Sequence, residues 1–231
     1  RAVRDAVRVL LDAGGTASKP GVGRLMITRK IRGGIRYARE TFRWLSFRRF
    51  CRAVRSSGVR LSRLDYLPES YLALLGETSG PVDFDPSRFG PSSWGKDAVS
   101  GHRFPRIPSP FIRLEYGRGF DPKSPWEASS FQWAVRKSAS APEDRVEFGR
   151  WAALASGWIA WNPAGVGIDW LSPMECSRRA VNLSLAASSW WPLLQTDDSL
   201  NAILARSIIE HAEFISRNPE VKPGGLTTNH T

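Results

Sequence analysis

The amino-acid sequence predicts an all-α fold in which long helices pack against one another as antiparallel hairpins. Three observations support this fold class. After Pro125, apolar residues recur at the spacing of a helix. Start and stop signals divide this part into separate helices, and short turns join several of them, which is typical of antiparallel neighbours. With 231 residues, of which 42% are hydrophobic, the chain is long enough to bury a substantial core.

Changes in composition divide the chain into three regions. Residues 1–64 form a basic N-terminal segment with short helices. Residues 65–125 are rich in Pro and Gly and weakly periodic, which is typical of a binding loop or an interdomain connection. Residues 126–231 carry the helical hairpins.

The basic N-terminal segment contains two predicted helices. The first covers residues 2–12 and ends at Gly14-Gly15. Several glycines interrupt residues 16–36, for which we predict irregular structure. A helical pattern then runs from Tyr37 to about Ser56.

The third region predicts four helices, at residues 127–138, 143–161, 172–194 and 198–217. Asn162-Pro163 and Asn218-Pro219 end the second and the fourth. Ser172-Pro-Met-Glu175 predicts a capping box, in which Ser172 accepts from the Glu175 N–H and Glu175 reaches back.

The net charge of +11 is concentrated at one end of the chain. Residues 1–64 hold 17 Lys and Arg against three acids, and the remainder is slightly acidic. Such a segment can attract polyanions, although a solvated arginine-rich face is the more common explanation. The charge is not accompanied by a nucleic-acid-binding motif, so we predict no nucleic-acid partner. No apolar run reaches the ~20 residues of a membrane span. Two cysteines without metal-ligand spacing predict neither a disulfide framework nor a metal site, and we predict no cofactor.

Tryptophan is the most unusual residue type in the composition. The chain has ten, and eight of them lie between Trp126 and Trp191. Aromatic faces stack on sugar rings, so this density favours a carbohydrate cleft. Most tryptophans nevertheless belong to the core, with the indole N–H bonded to a partner.

Two sets of residues could bind an acidic sugar. Glu175, Arg178, Arg179 and Asn182 form one polar stripe on a helix, which could face an internal groove. Alternatively, the stripe faces solvent, with Glu175 and Arg179 as a surface pair, and the periodicity alone favours this second interpretation. The second set lies in the segment that runs from Gly119 to Glu127: a turn brings Asp121 and Lys123 together, and Trp126 and Glu127 follow. Taken alone, Asp121 and Lys123 form an ordinary surface turn.

The end of the sequence carries a candidate carboxylate clamp. Asn229 and His230 follow two glycines, which allow the backbone to approach a ligand closely. An amide and an imidazole can both donate to a carboxylate.

Four ordered stretches resemble the N-terminal helical domain of the heparinase II/III-like polysaccharide lyases. They are Gly119-Phe-Asp-Pro-Lys-Ser-Pro-Trp-Glu127, Trp161-Asn-Pro163 with Trp170-Leu-Ser-Pro-Met-Glu175, Arg179-Ala-Val-Asn182, and the terminal Thr-Asn-His-Thr. The resemblance covers about half of the chain, from roughly Ile112. The chain departs from the family at Ser130, where members often carry Arg.

The resemblance implies an incomplete (α/α) toroid and β-elimination on a uronic-acid polymer. It implies Asn229 and His230 as catalytic residues, and it implies substrate contacts by Lys123, Trp126, Glu127, Trp170, Arg179 and Asn182. We further expect a bacterial periplasmic or secreted protein, of which this chain is an N-terminal fragment, with the Tyr and His acid/base groups further along.

Two other functions remain open. The chain could belong to a non-catalytic polysaccharide-binding or exopolysaccharide-assembly protein that keeps a lyase-like toroid. It could also belong to a glycoside hydrolase with paired carboxylates, for which Glu127, Asp169 and Glu175 are available.

Overall fold

A computed structural model describes residues 22–62, 89–114 and 119–219, with side chains from residue 33 onward. Seven α-helices lie in these ranges: α1 (Val22–Ser56), α2 (Lys123–Ala128), α3 (Gln132–Ser140), α4 (Arg145–Trp161), α5 (Pro173–Ser189), α6 (Trp191–Leu194) and α7 (Asp198–Arg217). Short 3-10 helices cover Ser109–Phe111 and Ile168–Trp170. The described residues contain no strand, so the predicted all-α class is confirmed.

The chain divides into two compact units, Arg1–Phe42 and Arg43–Thr231. Helix α1 is one uninterrupted element that begins at Val22, so the prediction of irregular structure over residues 16–36 is wrong from that residue onward. Gly33 and Gly34 lie inside the helix with open space around them. A glycine costs a helix only ~1 kcal/mol relative to alanine, and the arginines, leucine and methionine around these two favour helix. The predicted helix over residues 2–12 lies outside the described residues.

The predicted helix over residues 127–138 is divided in two between α2 and α3. The break lies at Phe131, which has a left-handed backbone (φ 56°) and a completely buried ring. The ring makes edge contacts with Phe89 and Trp158. Fully burying a phenylalanine stabilises a fold by ~1.5–3 kcal/mol, which offsets the ~1–2 kcal/mol of a left-handed residue.

Helices α4, α5 and α7 begin within two residues of where the sequence predicts. Asp144 caps α4 by accepting from Val146 N at 2.9 Å and Glu147 N at 3.1 Å. Ser172 caps α5 by accepting from Glu175 N at 3.3 Å, and Asp197 caps α7. The capping box also predicts that the Glu175 side chain reaches back to Ser172. In the structure the Glu175 carboxylate instead lies 3.7 Å from Arg178 Nε. Helix α5 ends at Ser189, so the prediction of one helix over residues 172–194 is wrong at its end, where the separate short helix α6 covers Trp191–Leu194.

The core lies between α3, α4, α5 and α7. Helix α5 packs against both α3 and α7, and α4 packs against α7. Four tryptophans are completely enclosed in the second unit: Trp151, Trp158, Trp170 and Trp190. Core packing therefore accounts for these indoles, as the more common role of tryptophan predicts.

We predict that Asp144→Ala lowers the free energy of unfolding by ~1–2 kcal/mol, because two N–H groups at the start of α4 lose their acceptor. Urea denaturation measures the change. Glu143→Ala is the matched control, since it removes a neighbouring negative charge from an exposed residue outside the helix. Equal losses in the two variants would assign the effect to charge and not to capping.

Candidate functional site

A cleft of about 1030 Å³ lies among the described residues. We call it the Lys123 cleft. Residues of the 92–99 loop form one wall, and the 119–121 turn with α2 forms the other. The side chains that bear on its chemistry are Lys96, Asp97, Phe120, Asp121, Lys123 and Glu127. A cleft with two ammonium groups and an aromatic ring suits an acidic sugar.

Asp97 holds the two walls of the cleft together. Its carboxylate accepts from Val99 N (3.1 Å), Ser100 N (3.3 Å) and Ser100 Oγ (2.5 Å) on its own wall. It also accepts from Asp121 N (3.3 Å) on the other wall. The Ser100 hydroxyl, followed by the Val99 N–H, lowers the pKa of the Asp97 carboxyl. This carboxylate is therefore an ionised structural anchor and a poor candidate for a general base.

Lys123 and Glu127 lie one turn apart on α2 and are both exposed. Asp121 Oδ1 accepts a hydrogen bond from Lys123 N at 2.9 Å, so the predicted turn is present. The carboxylate is bonded there to the Lys123 backbone and not to its ammonium group. Lys96, on the facing wall, is a second cation that the sequence analysis did not single out. An isolated antiparallel bridge between Lys96 and Arg103 closes the turn that begins at Lys96. No local sequence motif predicts that this turn lies opposite α2.

Phe120 supplies the aromatic surface of the cleft. The imidazole of His102 stacks on it with centroids 4.1 Å apart and planes 12° apart, and Phe104 meets it edge-on. These contacts hold the Phe120 ring in place. Aromatic faces of this kind can stack on the apolar face of a sugar ring.

The tryptophans predicted as substrate contacts do not line the cleft. Trp126 is half-buried, and its indole Nε1 donates to Ile168 O at 2.9 Å. Trp170 is enclosed by His211, Phe214 and Phe47. In this structure Trp126 ties α2 to the 168–170 turn through its indole N–H. Trp170 ties the same turn to the core through its ring contacts alone, because its buried N–H has no hydrogen-bond partner.

Arg179 is completely buried beneath α2 and is the centre of a polar network. Its Nε donates to Ser129 O at 2.9 Å, and its Nη2 donates to Ser129 Oγ at 3.0 Å. Both Nη atoms lie 3.2 Å from Asp169 O, and the guanidinium carbon lies 4.5 Å from the centre of the Trp158 ring. The guanidinium is fully occupied by protein atoms, so a direct substrate contact is not compatible with this arrangement.

Asp169 is the carboxylate of the network. Its Oδ1 accepts from Ser129 Oγ at 2.8 Å and lies 3.9 Å from Arg179 Nη2. With the Asn162 amide oriented so that its oxygen accepts from Trp158 Nε1, its nitrogen donates to Asp169 Oδ2 at 3.1 Å. Burial raises the pKa of the Asp169 carboxyl, and the charge of Arg179 opposes that rise.

His211 completes the network on the side of α7. Its Nδ1 lies 2.7 Å from Ser207 O, and its Nε2 lies 3.2 Å from Arg179 Nη1. A carbonyl oxygen accepts only, so Nδ1 carries the proton and Nε2 accepts from the guanidinium. Burial, with the charge of Arg179, lowers the pKa of His211 to about 3. The imidazole is therefore neutral at physiological pH.

Three of the four residues of the polar stripe of α5, namely Glu175, Arg179 and Asn182, face the protein interior, whereas the Arg178 side chain is 38% exposed. This contradicts the solvent-exposed interpretation that the periodicity favours. Asn182 Nδ2 donates to Ser130 O at 2.8 Å, and Glu175 is 6% exposed. Ser130 Oγ donates to Glu127 O at 2.8 Å, so Ser130 belongs to the C-terminal end of α2. Arg179 and Asn182 therefore both bind the end of the helix that carries Lys123 and Glu127.

Two predicted catalytic residues, Asn229 and His230, lie outside the described residues. Within residues 22–62, 89–114 and 119–219, no cluster of His, Cys, Asp and Glu has the arrangement of a metal site. None of the described helices is long and apolar enough to cross a membrane.

Comparison with protein-family models, with curated proteins and with solved structures found no match to this chain.

We predict that Arg179→Met lowers the free energy of unfolding by ~3–5 kcal/mol, because it leaves Asp169, His211 and Ser129 O without their buried donor. Arg179→Lys should lose less unfolding free energy than Arg179→Met but should remain less stable than the unmodified protein. An ammonium keeps the charge but cannot reproduce the planar hydrogen-bonding geometry of the guanidinium. Urea denaturation provides the measurement. As the control, Arg150→Met breaks an exposed pair with Glu147 and should cost at most ~1 kcal/mol. Similar losses at positions 150 and 179 would contradict the central role of the network.

We predict that stability falls as the pH is lowered from 6.5 towards 3, and that His211→Gln reduces this fall by a few kcal/mol. The pKa of His211 is about 3 in the folded protein against an ordinary 6.5, so only the unfolded chain takes up the proton in this window. The raised pKa values of Asp169 and Glu210 act in the opposite direction, but both groups are present in both proteins. Urea denaturation at several pH values gives the comparison. Parallel pH profiles for the two proteins would show that His211 does not contribute.

Proposed function

We propose that this chain is the helical part of a polysaccharide lyase that cleaves an acidic, uronate-containing polysaccharide by β-elimination. The observation that carries the proposal is the composition of the Lys123 cleft. Lys123, Glu127 and Phe120 belong to the 119–127 stretch of the resemblance, and Lys96 adds a second cation on the facing wall. In the proposal, this cleft binds a uronic-acid unit of the substrate.

The chemistry requires that the charge of a carboxylate be neutralised. In β-elimination a base removes the C5 proton, the electrons form a C4=C5 double bond, and the C4–O bond breaks while the leaving oxygen takes up a proton. The C5 proton is α to a carboxylate that is already negative, so its removal is slow in water. Donors to the carboxylate stabilise the developing anion, and losing one such donor typically costs ~3–4 kcal/mol. We assign this role to Asn229 and His230 and assign binding of the polymer to Lys96 and Lys123.

Arg179, Asn182, Trp126 and Trp170 act as positioning residues in this proposal. Arg179 and Asn182 bind the carbonyl groups of Ser129 and Ser130, directly after α2. Trp126 anchors the same helix to the 168–170 turn. Because these contacts set the orientation of α2, they determine where Lys123 and Glu127 stand in the cleft.

The packing of α3, α5 and α7 supports, as part of the proposal, an (α/α) toroid built from helical hairpins. A protein that degrades such a polymer works where the polymer is found. The proposal therefore includes a periplasmic or secreted location in a bacterium.

A binding protein without catalysis is the second candidate. The state of Asp97 favours it. This carboxylate of the cleft has a lowered pKa, is ionised and accepts four hydrogen bonds, so it is poorly suited to the proton transfer that catalysis requires. The hydrolase is less well supported, because Asp169 and Glu175 are buried in the α5 network and do not face Glu127 across the cleft.

One experiment separates the three functions. The protein that carries this chain is incubated with heparan sulfate, alginate and other polyuronates, and the near-ultraviolet absorbance is followed. A lyase yields unsaturated uronides that absorb, whereas a hydrolase yields saturated sugars with new reducing ends. Retention of the polymer without either product identifies a binding protein. If the protein neither cleaves nor retains any polyuronate, the proposed function is wrong.

We predict that Lys123→Ala weakens binding of a uronate oligosaccharide by about tenfold, because a charge-assisted hydrogen bond to the carboxylate is lost. Calorimetric titration of this chain measures the affinity. Lys137→Ala is the matched control, since Lys137 is exposed on α3 and does not line the cleft. The cleft assignment fails if both variants lose affinity equally, or if neither does.

A further inference from the structure

A second cavity of about 300 Å³ lies between α1, α4 and α7. We call it the Arg206 cavity. Its polar lining includes Arg55 at the end of α1 and Arg206 with Glu210 on α7, and its apolar wall includes Ile159, Pro163 and Ile203. None of these residues lines the Lys123 cleft. The volume is at the low end of ligand pockets, about the size of one sugar ring.

The charges around this cavity do not balance. Glu210 is the only carboxylate of its lining, and Arg55, Arg48 and Arg206 all act on it electrostatically. Burial raises the pKa of the Glu210 carboxyl, and these three guanidinium groups oppose that rise. Even with Glu210 ionised, the neighbourhood keeps a surplus of about two positive charges.

The guanidinium groups keep donors available for a ligand. Arg55 donates from Nε to Glu210 Oε1 at 3.0 Å, which uses one of its five N–H groups. Arg48 donates from Nη1 to Ala164 O at 3.2 Å. Arg206 lies one helical turn before Glu210 and acts on it electrostatically, but within the described part of the chain its side chain makes no hydrogen bond and no ion pair closer than 4.0 Å. The salt bridge between Arg55 and Glu210 therefore leaves the Arg206 guanidinium available to a ligand.

We propose that the Arg206 cavity binds a small organic anion, with the oxoanion on Arg206 and Arg55 and a sugar-sized body against the apolar wall. A carboxylate and a sulfate ester share this chemistry, because both accept planar N–H donors from guanidinium. The proposal rests on this cavity alone and does not depend on the lyase activity.

Calorimetric titration of this chain with D-glucuronate, inorganic sulfate and glucose tests the proposal. We expect both anions to bind, with Kd values of about 1 mM, and glucose not to bind. Equal affinities for the two anions would mean that the oxoanion alone is recognised, and tighter binding of glucuronate would add a contribution from the apolar wall. Either result supports the site. All anion titrations use the Lys123→Ala background, which weakens binding in the Lys123 cleft, and the comparison with Arg206→Ala assigns the remaining signal to one site or the other.

Three variants distinguish this site from a merely structural ion pair. Arg206→Ala should weaken anion binding by about tenfold or more, since a charged donor is lost. Glu210→Gln should strengthen it by about threefold or more, because the competing carboxylate is removed while an amide oxygen remains for Arg55. Arg145→Ala is the control, being an exposed arginine of α4 outside the cavity.

The proposal is overturned if neither anion binds or if Arg206→Ala leaves anion binding unchanged. Far-ultraviolet circular dichroism establishes that each variant is folded. If Glu210→Gln does not fold, the comparison of Arg206→Ala with Arg145→Ala decides the question by itself.

Discussion

The buried guanidinium of Arg179 is the interaction on which the described helical fold depends. It joins the end of α2, the 168–170 turn and α7 to a single point on α5, through Ser129, Asp169 and His211. A positive charge in such a site is tolerated only when its donors are satisfied and a carboxylate is near, and here both conditions hold. The Trp158 ring beneath the guanidinium adds a cation–π contact and excludes water.

The charge of Arg179 influences the protonation states of the neighbouring groups His211 and Asp169. His211 is neutral because a second positive charge beside Arg179 in a buried site is unfavourable, and its neutral Nε2 is then an acceptor for the guanidinium. Asp169 is held by Ser129 and by the Asn162 amide, which in turn accepts from Trp158. Each group supplies a hydrogen bond that its neighbour needs, so removing one member leaves several buried polar atoms without a partner. Networks of this kind favour one unique packing over alternatives of similar hydrophobicity.

The same network connects the core to the Lys123 cleft. Arg179 and Asn182 bind the two carbonyl groups that follow α2, and α2 carries Lys123 and Glu127 on its exposed side. Asp97 fixes the facing wall through the Asp121 N–H. In the proposed lyase, residues that never touch the sugar therefore orient those that do, which explains why the stretches of the resemblance include both exposed and enclosed side chains.

Local chemistry determined the helices, because capping and helix termination depend on a few neighbouring residues. Ser172 begins a helix and Asn162-Pro163 ends one, as the Ser172 side chain and the proline ring predict. The break at Phe131 was beyond such reasoning, since only burial against Phe89 and Trp158 offsets its left-handed backbone. The direction of the α5 stripe was likewise decided by tertiary structure: periodicity shows that Arg179 and Asn182 share a face, but not what that face meets. Their partners lie 10 to 52 residues away in the chain, and only folding brings those carbonyl, carboxylate and imidazole groups close to them.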